Sequence, residues 1–350
     1  YIIIIFNMVE KNSTQNLQDV ANILRIHSLK MTDESNSGHP TSCASMAELI
    51  SVLFFHPSGM HFNPKDPKNP ANDVFVLSKG HASPIYYAAW AEAGTFPKED
   101  LLNLRKITSD LEGHPTPRLN FCDFATGSLG QGLANTVGCA YSSKYFDSNP
   151  NKYFCIIGDG EAAEGSIWEA ANFAGIYKLD NLIAILDCNR LGQSDVTAFA
   201  HETSVYENRF KSFGFNVIVV DGHNIQEIID AYTAARNHTG TPTCIVAKTF
   251  KGKGFEGIED KLNFHGKPMK SKLVIEQLEK SLVNKSPEFN VTLPTNKFAY
   301  DGCSKDQKYN LTLNYESNKK YSTREGFGFA FKKLGEIDGK RTFVVGLDGD

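Results

Sequence analysis

The sequence has no long hydrophobic run, no closely spaced pair of cysteines and no large excess of charge of either sign. Its apolar start, residues 1–6, is too short for a signal peptide or a membrane span. Seven scattered cysteines without C-x-x-C spacing argue against a disulfide framework and favour a reduced, cytoplasmic compartment. A formal net charge of −4 gives no electrostatic reason to expect nucleic acid or an anionic membrane as a partner.

Two common nucleotide-binding motifs are missing as well. The glycine-rich stretch 125–132 matches neither G-x-G-x-x-G nor G-x-x-x-x-G-K-[ST], which disfavours a nicotinamide enzyme and a P-loop protein. Because the stretch precedes a predicted helix, its backbone N–H groups could still hold a phosphate or approach a planar ring. A plain loop-to-helix junction explains the glycines equally well.

What the sequence does contain is a regular alternation of strand-like and helix-like segments. Short apolar runs predict strands at residues 74–77, 153–157, 181–187, 217–220 and 244–247. Apolar residues recurring every three or four positions predict helices at residues 16–30, 42–55, 130–145 and 225–236. Strands that alternate with helices predict the α/β class, with a doubly wound parallel sheet and helices on both of its faces.

The most informative motif lies at the ends of two of these strands. Gly158-Asp159-Gly160 follows one predicted strand, Asn189 follows the next, and a helix-sized segment at 162–177 joins them. Such a βαβ crossover brings both strand ends to one edge of the sheet. Carboxylate and amide oxygens suit magnesium or calcium. The sequence therefore predicts a metal-diphosphate site here, although Asp-Gly is also ordinary turn chemistry.

Histidines follow glycine unusually often. Four of the ten histidines, His39, His81, His114 and His223, do so, where 28 glycines in 350 residues would give fewer than one by chance. Glycine lets a ligand approach, and imidazole exchanges protons near neutral pH. The alternative for each is a solvated or helix-capping side chain.

A basic, glycine-containing stretch at 248–254 follows the last predicted strand, and His265 lies in the loop beyond it. These lysines could neutralise a diphosphate or a sugar phosphate. A solvated surface turn is the equally ordinary alternative.

Taken together, the motifs resemble those of the transketolases, which use thiamine diphosphate. The resemblance covers about residues 14–350 and is carried, in order, by the segments 37–42, 77–82, 112–115, 126–132 and 186–195 together with Gly158-Asp159-Gly160. The amino-acid sequences of residues 189–195 and 251–254 are similar to those of the animal-type branch of this family. The implied fold is the thiamine diphosphate-binding fold.

The resemblance implies a role for each matching position. Magnesium, which calcium could replace, would be held by Asp159, Asn189 and the carbonyl of Leu191. The thiamine diphosphate would contact Ser42, His81, Gly127, Ser128, Leu129, Gly160, Lys251 and His265. The catalytic residues facing the sugar would be His39, His114 and His265, with Gln193 and Lys267 approaching the cofactor.

The implied activity is reversible transfer of a two-carbon ketol unit in the pentose phosphate pathway. The donor would be xylulose 5-phosphate, and the acceptor would be ribose 5-phosphate or erythrose 4-phosphate. His39 or His265 would take the hydroxyl proton as the carbon–carbon bond breaks. The family forms homodimers with the active site at the interface, so a second full-length copy is the expected partner.

The length of 350 residues indicates more than one domain. We expect a diphosphate-binding domain at 8–285, a linker at 286–321 and the start of a second, pyrimidine-binding domain at 322–350, with a helix at 324–334 and a strand at 342–347. Residues 1–7 are expected to precede the true start at Met8. The chain resembles an amino-terminal fragment, because the family's cofactor-activating glutamate and phosphate-gripping residues belong to the second domain. We therefore expect the chain alone to be inactive and to bind the cofactor poorly.

Three other interpretations stay open at this point. The chain could be another thiamine diphosphate enzyme, namely dihydroxyacetone synthase, 1-deoxyxylulose-5-phosphate synthase or a 2-oxoacid dehydrogenase component, although the deoxyxylulose enzyme has less need for histidines facing sugar hydroxyls. A non-catalytic, transketolase-like partner would keep the motifs without turnover. A metal-dependent phosphatase would need further carboxylates near Asp159.

Overall fold

The computed structural model describes residues 13–296 and 312–338. Five parallel strands form one sheet in these residues: β1 (Val74–Leu77), β2 (Tyr153–Gly158), β3 (Leu182–Cys188), β4 (Asn216–Asp221) and β5 (Thr243–Lys248). Their spatial order is β1-β2-β3-β5-β4. The predicted α/β class with a parallel sheet is confirmed, and each predicted strand agrees with the observed one to within one residue at either end.

Helices precede β1, connect the strands and follow β5. They are α1 (Thr14–Glu34), α2 (Pro40–Ser45), α3 (Ala47–Phe55), α4 (Ser83–Glu92), α5 (Gln131–Ser142), α6 (Gly165–Ile176), α7 (Thr203–Ser212), α8 (Ile225–Asn237), α9 (Lys272–Ser281) and α10 (Thr323–Asp338). Among the helices that the structure describes, none combines the length and apolarity that a membrane span needs.

The helix predicted over residues 42–55 is interrupted. Met46 leaves the helical region, with φ of −107° and ψ of 15°, so α2 and α3 are separate. Methionine is a good helix former, and the sequence therefore gives no sign of the break. It falls directly after Ser45, whose hydroxyl donates to the buried carboxylate of Asp187 in β3 at 2.7 Å.

The central strands are buried on both faces, and their side chains alternate between two cores. Phe154 and Ile156 of β2 pack with the core formed by α1, α3, α4 and α8, whereas Cys155 and Ile157 pack with the core under α5, α6 and α7. This alternation follows from the two-residue period of a strand. It explains why continuous apolar runs, rather than alternating ones, encode these strands.

The β2–α6–β3 crossover positions the candidate site. Strands β2 and β3 pair in register, with Gly158 opposite Asp187. Asp159 and Asn189, which follow β2 and β3, therefore reach the same edge of the sheet, as predicted. A short 3-10 turn, Glu161–Ala163, precedes α6.

Residues 286–296, part of the expected linker, are fastened to the sheet domain. Phe289 packs on Phe55 with ring centroids 4.3 Å apart, and the carbonyl of Thr292 accepts from the Phe62 N–H at 2.8 Å. The amide of Asn296 donates to Asn151 Oδ1 at 2.8 Å. This part of the expected linker therefore runs along the sheet domain.

Helix α10 begins with a capping box. Ser322 Oγ accepts from the Glu325 N–H at 3.2 Å, and Glu325 Oε2 accepts from the Ser322 N–H at 2.8 Å. This helix covers the one predicted at 324–334. The strand predicted at 342–347 and the closing Asp348-Gly349-Asp350 lie outside the described residues.

Candidate cofactor and active site

Asp159 stands at the carboxyl end of β2 and is only 4% exposed. Its Oδ1 accepts from the Gly160 N–H at 2.9 Å, and its Oδ2 accepts from the Arg190 N–H at 2.7 Å and from Thr197 Oγ1 at 2.9 Å. Burial and the nearby carboxylate of Asp187 raise the pKa of Asp159 to about 6. A carboxylate in such surroundings gains from a neighbouring cation.

Asn189 and Leu191 bring two further oxygens to this edge. Asn189 Nδ2 donates to Asp187 Oδ2 at 2.9 Å, and Asn189 Oδ1 accepts from the Leu191 N–H at 3.2 Å. The Leu191 carbonyl accepts from Lys251 Nζ at 2.8 Å. In the part of the chain that the structure describes, no three His, Cys, Asp or Glu side chains are grouped to hold a metal. A cation here would therefore rely on amide and carbonyl oxygens besides Asp159, the hard donors that magnesium takes.

A fully buried ion pair, Lys79–Asp187, lies next to these oxygens and contacts Asn189 through the Asp187 carboxylate. Lys79 is 1% exposed and Asp187 is 0% exposed. Lys79 Nζ donates to Asp187 Oδ2 and, at 3.2 Å, to the carbonyl of Ser42. Burial alone would raise the pKa of Asp187, but the Lys79 ammonium and the hydroxyls of Ser45 and Thr249 hold it below its usual value. The pair joins α2, the loop after β1 and the end of β3.

Three imidazoles meet above the sheet edge. The ring centroids of His39 and His81 are 5.0 Å apart, those of His39 and His265 are 5.0 Å apart, and those of His81 and His265 are 5.2 Å apart. Burial, reinforced by neighbouring positive charge, lowers the pKa of His39 to about 4 and that of His265 to about 3. It also lowers the pKa of His81 well below its usual value. All three rings are therefore neutral at pH 7.

Lys251 links the imidazoles to the oxygen ligands. Its Nζ contacts both the Leu191 carbonyl, at 2.8 Å, and His265 Nδ1, at 2.6 Å. Burial and the neighbouring Lys79 lower the pKa of Lys251 to about 8. Because His265 Nδ1 accepts from this ammonium, the neutral ring carries its proton on Nε2.

His114 lies against the glycine-rich turn rather than in the three-ring cluster. Gly127 has a φ of +136°, and a Cβ there would lie 2.7 Å from His114 Cδ2. The next two predicted cofactor residues, Ser128 and Leu129, are exposed. The turn is thus held close to His114 by a conformation that favours glycine.

Glu161 holds the site loops together, a role that the sequence did not suggest. Its carboxylate accepts from Ser78 Oγ, from the Gly130 N–H at 2.8 Å and from the Gly158 N–H at 3.0 Å. Burial raises the pKa of Glu161 despite these hydrogen bonds. A Glu beside Gly-Asp-Gly in the sequence looks like ordinary first-turn chemistry, so only the fold shows its three partners.

Not every predicted group converges. His223, the fourth histidine after glycine, pairs with Glu48 through Nδ1 at 3.0 Å and accepts from the Phe250 N–H through Nε2 at 2.9 Å. It belongs to a structural network beside the site. Gly160 is exposed but stays hydrogen-bonded to Asp159 through its N–H at 2.9 Å, and Gln193 and Lys267 are exposed.

A parallel sheet whose carboxyl edge gathers oxygen donors, lysines and imidazoles defines an α/β domain that binds an anionic ligand. The chain belongs to the transketolase family: the family model "Transketolase, thiamine diphosphate binding domain" matches residues 16–326. The resemblance drawn from the motifs is thus confirmed.

Individual relatives agree. The chain is 48% identical to rat transketolase over 347 residues, covering 99% of this chain and 54% of that protein. It is 47% identical to human transketolase with the same coverage, and 38% identical to bovine transketolase-like protein 1 over 97% of this chain and 50% of that protein. The chain thus spans about half the length of the curated relatives it matches.

Solved structures show the same domain. The transketolase from Campylobacter jejuni superposes with a TM-score of 0.71 at 34% identity, covering 82% of this chain and 44% of that one. The transketolase of Pichia stipitis in complex with sedoheptulose 7-phosphate gives a TM-score of 0.70 at 30% identity, covering 82% of this chain and 42% of that one.

Proposed function

We propose that this chain forms the thiamine diphosphate- and magnesium-binding part of a transketolase. The transferred group is a two-carbon ketol unit, the donor is xylulose 5-phosphate, and the acceptor is ribose 5-phosphate or erythrose 4-phosphate. The observation that carries the proposal is the position of Lys251, which contacts both the carbonyl of Leu191 and the ring of His265. One site therefore unites a metal-diphosphate anchor with groups that handle sugar hydroxyls.

The buried polar atoms of the site fit this cofactor. Ser42 Oγ and His39 Nδ1 are buried without a hydrogen-bond partner among the described residues. Unpaired buried polar atoms are costly and call for a ligand. Asp159, Asn189 and the Leu191 carbonyl would hold magnesium, and His81, Gly160 and Lys251 would hold the diphosphate. Ser42 and the turn of Gly127, Ser128 and Leu129 would line the rest of the cofactor.

Bound thiamine diphosphate supplies the electron sink for carbon–carbon cleavage. The chain's own residues bind the sugar and move its protons. His39 is neutral at pH 7, so it can accept a proton from a sugar hydroxyl. His265 presents its Nε2–H and donates to a sugar oxygen. The geometry thus supports His39 over His265 as the first proton acceptor, with His114 binding hydroxyls at the rim.

Partner and compartment are further parts of the proposal. We place the protein in the cytoplasm, in the pentose phosphate pathway, as a homodimer with its active site at the interface. The six cysteines in the described residues are free thiols, which supports a reducing compartment. Exposed apolar side chains at the end of α6, among them Ile176 at 65% exposure, support pairing with a second copy. Light scattering after size exclusion tests the dimer.

A coupled assay on the longest product of this gene tests the substrate class. Xylulose 5-phosphate with ribose 5-phosphate is expected to be consumed, whereas pyruvate is not. Omitting thiamine diphosphate or adding a magnesium chelator is expected to abolish turnover. Consumption of pyruvate without a ketose phosphate would instead indicate a decarboxylating enzyme, and turnover without thiamine diphosphate would overturn the proposal.

A further inference from the structure

Arg190 joins the loop after β3 to the loop after β5. Its guanidinium forms a fork with the carboxylate of Asp260, in which Nε lies 2.6 Å from Oδ1 and Nη2 lies 2.8 Å from Oδ2. Nη2 also donates to the Asp260 carbonyl at 3.2 Å. A bidentate pair fixes orientation as well as distance. It therefore ties the loop 189–197 to the loop 250–266.

The backbone groups of Arg190 and Asp260 also make hydrogen bonds to residues of the site. Arg190 has a φ of +61°, with its N–H donating to Asp159 at 2.7 Å and its carbonyl accepting from the Thr197 N–H at 2.8 Å. Asp260 has a φ of +59°, and its N–H donates to the carbonyl of Lys251 at 2.8 Å. Left-handed backbone is unfavourable for residues other than glycine and persists where the surroundings impose it.

We propose that the Arg190–Asp260 pair is a positioning clamp for the cofactor site. It holds the two loops so that the Leu191 carbonyl, Lys251 and His265 meet where metal and diphosphate bind. The clamp rests on the proposed function for its purpose. Both side chains act through their neighbours, so they are positioning residues rather than catalytic ones.

A second ion pair provides a matched control. Lys144 Nζ and Asp180 Oδ1 are 2.7 Å apart, and their side chains are 28% and 26% exposed. The side chains of Arg190 and Asp260 are 28% and 29% exposed. Lys144 follows α5 and Asp180 precedes β3, so this pair lies toward the amino ends of the strands. Solvent screens the two pairs alike, but the control pair is a single contact rather than a fork and lies at the opposite ends of the strands.

Hydrogen exchange of the full chain without cofactor tests the clamp directly. We expect Arg190→Gln to speed exchange across 250–266, and Asp260→Asn to speed exchange across 189–197, each by about threefold to tenfold. Lys144→Gln should change neither loop. Effects confined to the mutated residue's own loop, or equal effects from Lys144→Gln, would overturn the clamp.

Calorimetric titration of the longest product of this gene with thiamine diphosphate, over a series of magnesium concentrations, tests whether the clamp positions the cofactor site. Arg190→Gln and Asp260→Asn should each raise the magnesium requirement by about tenfold, with the double variant no worse than either, because the residues act as one unit. Arg190→Lys keeps the charge but not the fork and should recover part of the loss. Melting temperatures without cofactor should stay within about 2 °C of that of Lys144→Gln.

Additive losses in the double variant, or an unchanged magnesium requirement, would contradict the positioning role. If the unmodified longest product of this gene bound no thiamine diphosphate at any magnesium concentration, the proposed function would fail instead. The exchange measurement would still decide whether the clamp exists, since it needs no cofactor.

Discussion

Buried polar side chains lie at both edges of the sheet, but the two edges treat them differently. At the amino edge, Asp73 accepts from the Lys152 N–H at 2.8 Å, the His61 N–H at 2.8 Å and Arg236 Nη1 at 2.7 Å. Asn151 Nδ2 donates to the carbonyls of Pro70 at 2.7 Å and Asn72 at 2.6 Å. At this edge opposite charges are paired and donors face acceptors. The network therefore holds the loops against the sheet.

At the carboxyl edge, like groups are brought together. Asp159 lies near Asp187, Lys79 lies near Lys251, and His39 stands among other imidazoles. Among the described residues, His39 Nδ1 and Ser42 Oγ lack a hydrogen-bond partner at this edge, and Asn181 Oδ1 lacks one at the amino edge. Like charges gathered beside unpaired polar atoms cost stability and are found where a ligand completes the site. The functional edge is therefore marked by the gathering of like groups, rather than by burial of polar groups as such.

The largest expected effect comes from changing the carboxyl edge at Asp159. Asp159→Asn should weaken magnesium-dependent thiamine diphosphate binding at least about 100-fold, near 2.7 kcal/mol. Loss of a buried charge beside Asp187 offsets lost hydrogen bonds, so stability without cofactor should change by less than about 1 kcal/mol. Differential scanning fluorimetry with and without cofactor measures both. A large loss of stability without cofactor would show that Asp159 also stabilises the fold, as the polar groups of the amino edge do.

The amino edge should show the opposite behaviour. Asp73→Ala leaves Arg236 without its carboxylate in a half-buried site and should lower the free energy of unfolding by about 2 kcal/mol. Cofactor affinity of the folded protein should stay within about twofold. Urea denaturation measures the free energy of unfolding, and calorimetry measures the cofactor affinity. Unchanged stability, or a large loss of affinity, would show that this edge is not purely structural.

Two serines on one helix sharpen the comparison. Ser45 Oγ bonds the Asp187 carboxylate at 2.7 Å, whereas Ser42 Oγ has no partner among the described residues. Without cofactor, Ser45→Ala should destabilise the fold by about 1–2 kcal/mol, and Ser42→Ala should stabilise it by about 0.5–1 kcal/mol. Urea denaturation measures the sign of the change in the free energy of unfolding for each variant. Equal signs for the two variants would contradict the distinction between paired and unpaired hydroxyls.

The imidazole cluster predicts a smaller, pH-dependent effect. The folded pKa of His39, about 4, lies below that of an unfolded histidine, near 6.5, so the unfolded chain binds more protons between these values. Stability should therefore be complete above about pH 6.5 and fall as the pH drops toward 4. His39→Gln should reduce the loss between pH 7.5 and pH 5 by about 1 kcal/mol, allowing for solvent screening. An equally acid-sensitive variant would count against a neutral His39.

The sequence predicts the strands and the sheet edge that carry the site, because these depend on local patterns. Asp159 and Asn189 follow apolar runs that can only be buried strands, and one crossover places both at the same edge. The fold class and the family follow from the same runs and motifs.

The supporting contacts could not be predicted, because their partners are distant in sequence. Lys79 and Asp187 are 108 residues apart, Ser78 and Glu161 are 83 apart, and Arg190 and Asp260 are 70 apart. No periodicity relates such positions. The break at Met46 has the same origin, since it accommodates a tertiary contact of Ser45. The sequence also grouped His223 with the other Gly-His pairs, and only the fold separates it from them.

The most direct test of the central claim is a calorimetric titration of the longest product of this gene with thiamine diphosphate, with magnesium and with a chelator. We expect binding with magnesium that falls at least about 100-fold with the chelator, since Asp159 and Asn189 would contribute to diphosphate binding only through the metal that they hold. Equal affinity in the two conditions would contradict the carboxyl edge as a metal-diphosphate site.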